Sequence, residues 1–222
     1  MEGLGVIFDM DGVLVDSYRA HLESWRRLAR NHGLRITERQ FADTFGQTSR
    51  DIIHRLWAGC VDEAEIPAWG AEKEALYREI LREDFPEMDG AGDLIAALHA
   101  AGLAMAIGSS GPPENVQAVG QCLPHSRHIT TTVNGHEVAH GKPDPEIFLL
   151  AAEKMGLAPQ ICAVIEDAPA GIEAALRAGM TAIAVTGTAA PDRLARAHLV
   201  VDSLRELTPA RISELIRHPD GK

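Results

Sequence analysis

Apolar positions follow two alternating patterns along the chain. Leu4–Phe8, Leu103–Ile107, Ile161–Ile165 and Thr181–Val185 are short continuous apolar runs suited to strands buried on both faces. Leu199–Val201 reads as a short edge strand and Ile129–Val133 as a weaker one. Helical spacing fills the intervals. Asp93–Ala101 places Leu94, Ile95 and Leu98 on one face and stops at Gly102. A helix through Ile147, Phe148 and Ala151 has Asp144 as its expected N-cap and Pro145 at its first position, and ends at Gly156. Pro169–Ala178 closes at Gly179. Strands that alternate with helices predict the α/β class, a Rossmann-like doubly wound parallel sheet.

One interval is too long for this scheme. Strand-to-helix connections run ~2–6 residues, yet roughly eighty residues separate the first strand from the helix near Gly90. That interval is helical by pattern. Leu22, Trp25 and Ala29 share a face, Ile52, Ile53, Leu56 and Trp57 form a second stripe, and Leu76 and Ile80 with Tyr77 and Leu81 form a third. The expected organisation is an α/β core of residues 1–16 and 87–222 with an all-α domain, 17–86, inserted into it.

Composition narrows the possible functions. With 45% hydrophobic and 24% charged residues over 222 positions, the chain is globular rather than disordered. Its formal net charge of −11 repels a phosphate backbone and an anionic membrane surface, which argues against nucleic acid and membrane partners. No apolar run approaches the ~20 residues of a membrane span. Met1–Gly5 has no basic region of the secretory type. Cys60, Cys122 and Cys162 are scattered, which suits reduced, buried core thiols and a cytoplasmic location. The expected state is a monomer or weak dimer.

The candidate chemistry sits at strand ends. Asp9-Met10-Asp11-Gly12-Val13 follows the first strand directly, and two carboxylates there are costly without a cation or donors. A hairpin turn at Asp11-Gly12 leaves Asp9 unexplained. An EF-hand needs glycine at position six and glutamate at twelve, where counting from Asp9 gives Gly12 fourth and Ala20 twelfth. Glu166-Asp167 follows the third run, Ser109-Ser110 the second, and Gly141-Lys142-Pro143 precedes a helix. Each alone reads as ordinary capping or a solvated lysine. Together they converge, because the carboxyl ends of parallel strands form one edge where ligands bind. Carboxylates, a hydroxyl and a lysine suit Mg²⁺ with a phosphate.

In these residues the chain resembles the haloacid dehalogenase superfamily of phosphotransferases, over nearly its whole length. All four superfamily motifs occur in order: Asp9-Met10-Asp11-Gly12-Val13, Ser109, Lys142 and Glu166-Asp167. Gly141-Lys142-Pro143-Asp144-Pro145 and Glu166–Gly171 look like the subgroup of small-molecule phosphatases and β-phosphoglucomutase, in which the inserted helical domain is a cap. The resemblance implies Asp9 as nucleophile forming an aspartyl-phosphate, and Asp11 as general acid and then base. It implies Ser109 and Lys142 as holders of the transferring phosphoryl, with Ser110 beside them. It further implies Mg²⁺ bound by Asp9, the Asp11 carbonyl and Asp167, with Glu166 behind them.

The resemblance extends to the expected cap. Ser17 and His21 share a helix face, Gly46 and Arg50 follow the family's cap substrate loop, and Lys73 matches a phosphate-touching cap lysine, although for Arg50 and Lys73 a solvated face explains the sequence as well. The implied partner is a small phosphorylated metabolite. A mutase of the β-phosphoglucomutase type is the rival. Phe45 before Gly46 and Gly111-Pro112-Pro113 after Ser110 lack cations that hold a second phosphate in that pattern, and Arg50 is displaced by one residue, so phosphate release is expected over isomerisation. Asp11 argues against a dehalogenase. A receiver-like phospho-switch would be about half this length and have no inserted domain. His136 and His140 have no role assigned from the sequence.

Overall fold

The computed structural model describes residues 3–44 and 47–219. The chain forms two compact units, Met1–Asp16 with Glu87–Lys222, and Ser17–Pro86. β1 (Gly5–Phe8) opens the first. The second holds α1 (Ser17–Asn31), α2 (Glu38–Ala42), α3 (Ser49–Trp57) and α4 (Ile66–Glu83). The first unit resumes with α5 (Ala91–Ala100), β2 (Ala104–Gly108), α6 (Pro113–Cys122), β3 (Thr131–Val133), α7 (Glu146–Met155) and β4 (Cys162–Glu166). It ends with α8 (Pro169–Arg177), β5 (Thr181–Val185), α9 (Pro191–Leu194), β6 (Leu199–Val201) and α10 (Pro209–Arg217).

Every described strand pairing is parallel, in the order β3-β2-β1-β4-β5-β6. All residues of β1, β4 and β5 are buried, the consequence of helices on both faces of near-continuous apolar runs. Phe8 is in register with Ile107 on one side and Ile165 on the other. The residues that follow β1, β2 and β4 therefore leave the sheet side by side. The chain reverses its direction of strand addition at β1, and the crevice at such a reversal is where open α/β sheets bind ligands. Ile7, Val164, Ile147, Phe148, Ile172 and Leu194 contribute to the core on this sheet.

The second unit has its own core, built on Leu22, Trp25, Leu28, Phe41, Ile53, Trp57 and Trp69. The buried stripe of α4 is Ile66, Trp69, Lys73, Tyr77 and Leu81, which keeps Tyr77 and Leu81 of the expected stripe, while Leu76 and Ile80 lie one residue off it. The stripe runs through a lysine, which a reading by apolar residues alone leaves out. Lys73 is thus buried rather than part of a solvated face.

Three further expectations are corrected. Cys60 is exposed, because it lies in the turn after α3, and Cys122 is half-buried at the last residue of α6; only Cys162 is a buried thiol among the described residues. Burial pushes Cys162 up to about 11. α7 starts at Glu146 with Pro145 as its N-cap residue, although the Asp144 carboxylate does accept from the Glu146 amide at 3.0 Å. No helix of the described residues is long and apolar enough to cross a membrane.

Candidate active site

The loop after β1 is tightly wound. The Met10 carbonyl accepts from the amides of Leu14 (2.9 Å) and Val15 (3.2 Å), and Gly12 donates to the Val15 carbonyl (2.8 Å). Met10, Val13, Leu14 and Val15 are buried, which anchors the loop and leaves Asp9 and Asp11 to the polar side. Asp9 itself donates its amide to Ile165 at 2.9 Å, so the nucleophile candidate still belongs to the sheet.

Lys142 reaches this point from the loop before α7. Its ammonium lies 2.5 Å from Asp9 Oδ1, 2.7 Å from Glu166 Oε1 and 3.4 Å from the Gly108 carbonyl. The Phe148 ring lies beneath it, 4.8 Å from Nζ to centroid. Two details hold the loop. The Glu146 carboxylate accepts from the amides of Ala139 (3.0 Å) and His140 (2.9 Å). Asp144 donates its amide to Gly141 at 3.0 Å. Glu146 has its carboxyl held below the usual range by those backbone donors. His140 also sets Nδ1 3.3 Å from Glu146, and the His136 amide donates to Asn134, so both histidines belong to loop structure.

Glu166 is fully enclosed. Its Oε2 accepts from the amides of Asp167 and Ala168, each at 2.8 Å, while Oε1 takes Lys142. It occupies space that only glycine at 171 leaves open: an added Cβ would fall 1.7 Å from Glu166 Oε1. Ser109 is buried at the end of β2, and its hydroxyl oxygen accepts from the Gly111 amide at 3.0 Å. Ser110, the next residue, is exposed. Gly135 donates to the Gly111 carbonyl at 2.9 Å and stands so close that a Cβ would meet the Ser110 carbonyl at 2.3 Å.

The electrostatics are unbalanced. Asp9, Glu166 and Asp167 are all buried and bring ligand oxygens within 4.8 Å of one another. Burial first, then the charges of Glu166, Asp167 and Asp11, push the Asp9 carboxyl well above its usual range, against the opposing pull of Lys142. Burial and Glu166 push Asp167 up to about 7, with the Thr188 hydroxyl opposing. Burial disfavours the Lys142 charge, but Asp9 and Glu166 outweigh it and raise its pKa. Three buried acids face one buried ammonium. The donor set, hard oxygens with excess negative charge, fits a divalent cation such as Mg²⁺.

The core motifs are therefore brought together, with Asp11 half-buried beside them. The residues expected in the helical unit lie as follows. Ser17 is buried at the start of α1. The His21 ring stacks on Tyr77 at 4.1 Å and 9°, with Nδ1 2.8 Å from Lys73 Nζ. Lys73 also bonds Glu74 at 2.8 Å and lies 5.7 Å from the Trp25 ring centroid. Arg50 is exposed and paired with Glu63 at 3.0 Å, away from the His21–Lys73 pair in its bonding. Gly46 lies outside the described residues. Sequence reasoning missed Glu146, Phe148 and Thr188. A glutamate at a helix start directly after the Lys142 loop was a usable signal for the first; Thr186-Gly187-Thr188 after β5 was one for the last.

A sequence model described as "Hydrolase: haloacid dehalogenase-like hydrolase" matches residues 4–179. Hexitol phosphatase A of Escherichia coli (strain K12) is 37% identical over 206 residues, 92% of this chain and 93% of that protein. β-Phosphoglucomutase of Bacillus subtilis (strain 168) is 31% identical over 91% of each chain. Among solved structures, β-phosphoglucomutase from Clostridium difficile is similar with a TM-score of 0.80 and 27% identity, covering 97% of this chain and 98% of that one.

Proposed function

Since the chain belongs to the haloacid dehalogenase-like hydrolases, we propose that it is a Mg²⁺-dependent phosphatase of small phosphorylated carbohydrates or polyols, working through an aspartyl-phosphate on Asp9. The observation that carries this reading is the Lys142 ammonium between Asp9 and Glu166 at the edge of the sheet, with Asp167 alongside. Asp9 attacks phosphorus, Asp11 protonates the leaving oxygen, and Asp11 then takes a proton from the water that releases phosphate. Lys142 and the Ser109 hydroxyl hold the transferring oxygens, and Glu166 fixes Lys142. Asp9, the Asp11 carbonyl and Asp167 would hold Mg²⁺, which when bound neutralises charge on phosphate and carboxylates. The hexitol phosphatase relative supports a sugar or polyol monophosphate as substrate class.

A phosphosugar mutase is the second reading. It is favoured by Lys73, a buried cation beside His21, and by the likeness to β-phosphoglucomutase. The deciding assay follows phosphate release from hexitol and sugar monophosphates alongside conversion of β-glucose 1-phosphate to glucose 6-phosphate, primed with the bisphosphate. Phosphate release is expected to dominate. Isomerisation outpacing it reverses the assignment.

Metal affinity is expected to depend on pH. Burial and Glu166 push the Asp167 carboxyl up to about 7, and it must lose its proton to bind the cation. Below about pH 7 protons on Asp167 and on the raised Asp9 compete with the cation, so the apparent Mg²⁺ affinity falls by at least about tenfold per pH unit, and it levels off only once both are ionised. Calorimetric Mg²⁺ titrations across that range, with proton uptake by the buffer, measure it. An affinity independent of pH contradicts the role given to Asp167.

A further inference from the structure

We propose that Thr188 is a positioning residue for the cation site: its hydroxyl, on the loop after β5, holds the Asp167 carboxylate in the conformation that binds Mg²⁺. The proposal rests on the metal-dependent reading above and adds a residue to it.

Asp167 follows β4 and has its backbone amide tied to Glu166, but that bond does not orient its carboxylate. Two features do. Gly12, at φ +78°, leaves open the space into which the carboxylate projects: a Cβ there would fall 2.0 Å from Asp167 Oδ2 and 2.9 Å from Thr188 Oγ1. The carboxylate and the hydroxyl thus lie together over the bare face of Gly12. From this position the hydroxyl favours the ionised form of Asp167, as a donor facing its carboxylate does. A hydroxyl gives one proton to one lone pair, which leaves the remaining lone pairs of the carboxylate for a cation.

The loop that carries Thr188 is itself anchored. The Thr186 amide donates to the Val201 carbonyl at 2.9 Å, and the Thr186 hydroxyl donates to Asp202 at 2.8 Å. Gly187 then adopts φ +137°, a turn a larger residue would strain, and delivers Thr188 back toward the first loop. The strand order gives this route its reason. β5 neighbours β4, so the segment after β5 emerges beside Asp167. Thr188 is exposed and contributes nothing to the core, so a polar task at the edge of the sheet accounts for it better than packing. Partners that orient a metal ligand from outside typically account for about 10–100-fold in metal affinity.

The test reads metal binding directly, by Mn²⁺ electron paramagnetic resonance on the metal-free full-length protein. Thr188→Val keeps the shape and removes the donor; Thr188→Ser keeps the donor. Thr188→Val is expected to weaken Mn²⁺ at least about tenfold with unchanged melting temperature, and Thr188→Ser to stay within about threefold of the parent. Equal Mn²⁺ affinity in Thr188→Val and parent overturns the assignment. Asp167→Asn separates this from failure of the site itself. If the parent and Asp167→Asn bind Mn²⁺ equally, the metal reading falls and Thr188 with it. If Asp167→Asn loses binding while Thr188→Val keeps it, Thr188 alone is wrong.

Discussion

Asp9→Asn is expected to abolish turnover, with a loss of at least about 10⁴-fold in kcat, while the metal-free protein keeps its fold. The amide cannot form the acyl-phosphate. Glu166 is engaged by Lys142 and two backbone amides. The same variant should melt no lower, and by the linkage argument higher, when metal is absent. Burial and neighbouring acids raise the Asp9 pKa well above 3.8, against the pull of Lys142, so folding works against its ionised form. Such a group favours folding fully below about pH 3.8 and loses that contribution as the pH rises through the raised value. Above the raised pKa the ionised carboxylate is a burden that asparagine removes. Melting curves in EDTA together with steady-state phosphate release check both halves. Retained turnover, or a large fall in melting temperature, contradicts the account.

Lys142→Met should be damaging in both respects. It removes the ammonium that meets Asp9 and Glu166, and leaves buried carboxylates facing one another. Breaking a buried pair from one side costs about 3–5 kcal/mol, so a drop of many degrees in the melting temperature is expected, partly reversed by high Mg²⁺. kcat/KM should fall by at least about 10³-fold, because phosphoryl charge is met by one cation fewer. The effects of Lys142→Met and Asp9→Asn should not add. With Asp9 already neutral, removing Lys142 should cost less stability than it does in the parent, and a double-mutant cycle measures the difference. Additive losses would mean that the 2.5 Å contact carries no coupling.

The sheet was the most legible part of the chain because full burial makes a strand a continuous apolar run. Thr181–Val185 and Leu199–Val201 coincide with the observed strands, and the others shift by one or two residues. Asp9, Ser109 and Glu166 could be placed at one edge from that pattern alone, since each follows an apolar run. What the pattern could not show was what fixes those side chains. Gly171 reads as an ordinary helix glycine until Glu166 is seen to need its space, and Gly12 as a turn glycine until the Asp167 carboxylate is seen against it. The solvated-face alternative for Lys73 failed because a charged residue at a buried helical position is indistinguishable by periodicity from an exposed one. Cys60 failed for the opposite reason: composition says that cysteines are buried on average, and a turn after α3 is a local exception.

The central claim is that the phosphoryl group passes through Asp9, and chemical trapping tests it most directly. The protein is mixed with Mg²⁺ and an aryl phosphate, quenched in acid, and digested for mass spectrometry, with a second portion reduced by borohydride. Asp11→Asn, which can accept a phosphoryl but is slow to release it to water, is the favourable form to trap. The account predicts one added phosphoryl on the peptide that contains Asp9, borohydride reduction at that residue, and neither in Asp9→Asn. Phosphate released over many turnovers with no label on Asp9, or a label on another residue, would contradict it.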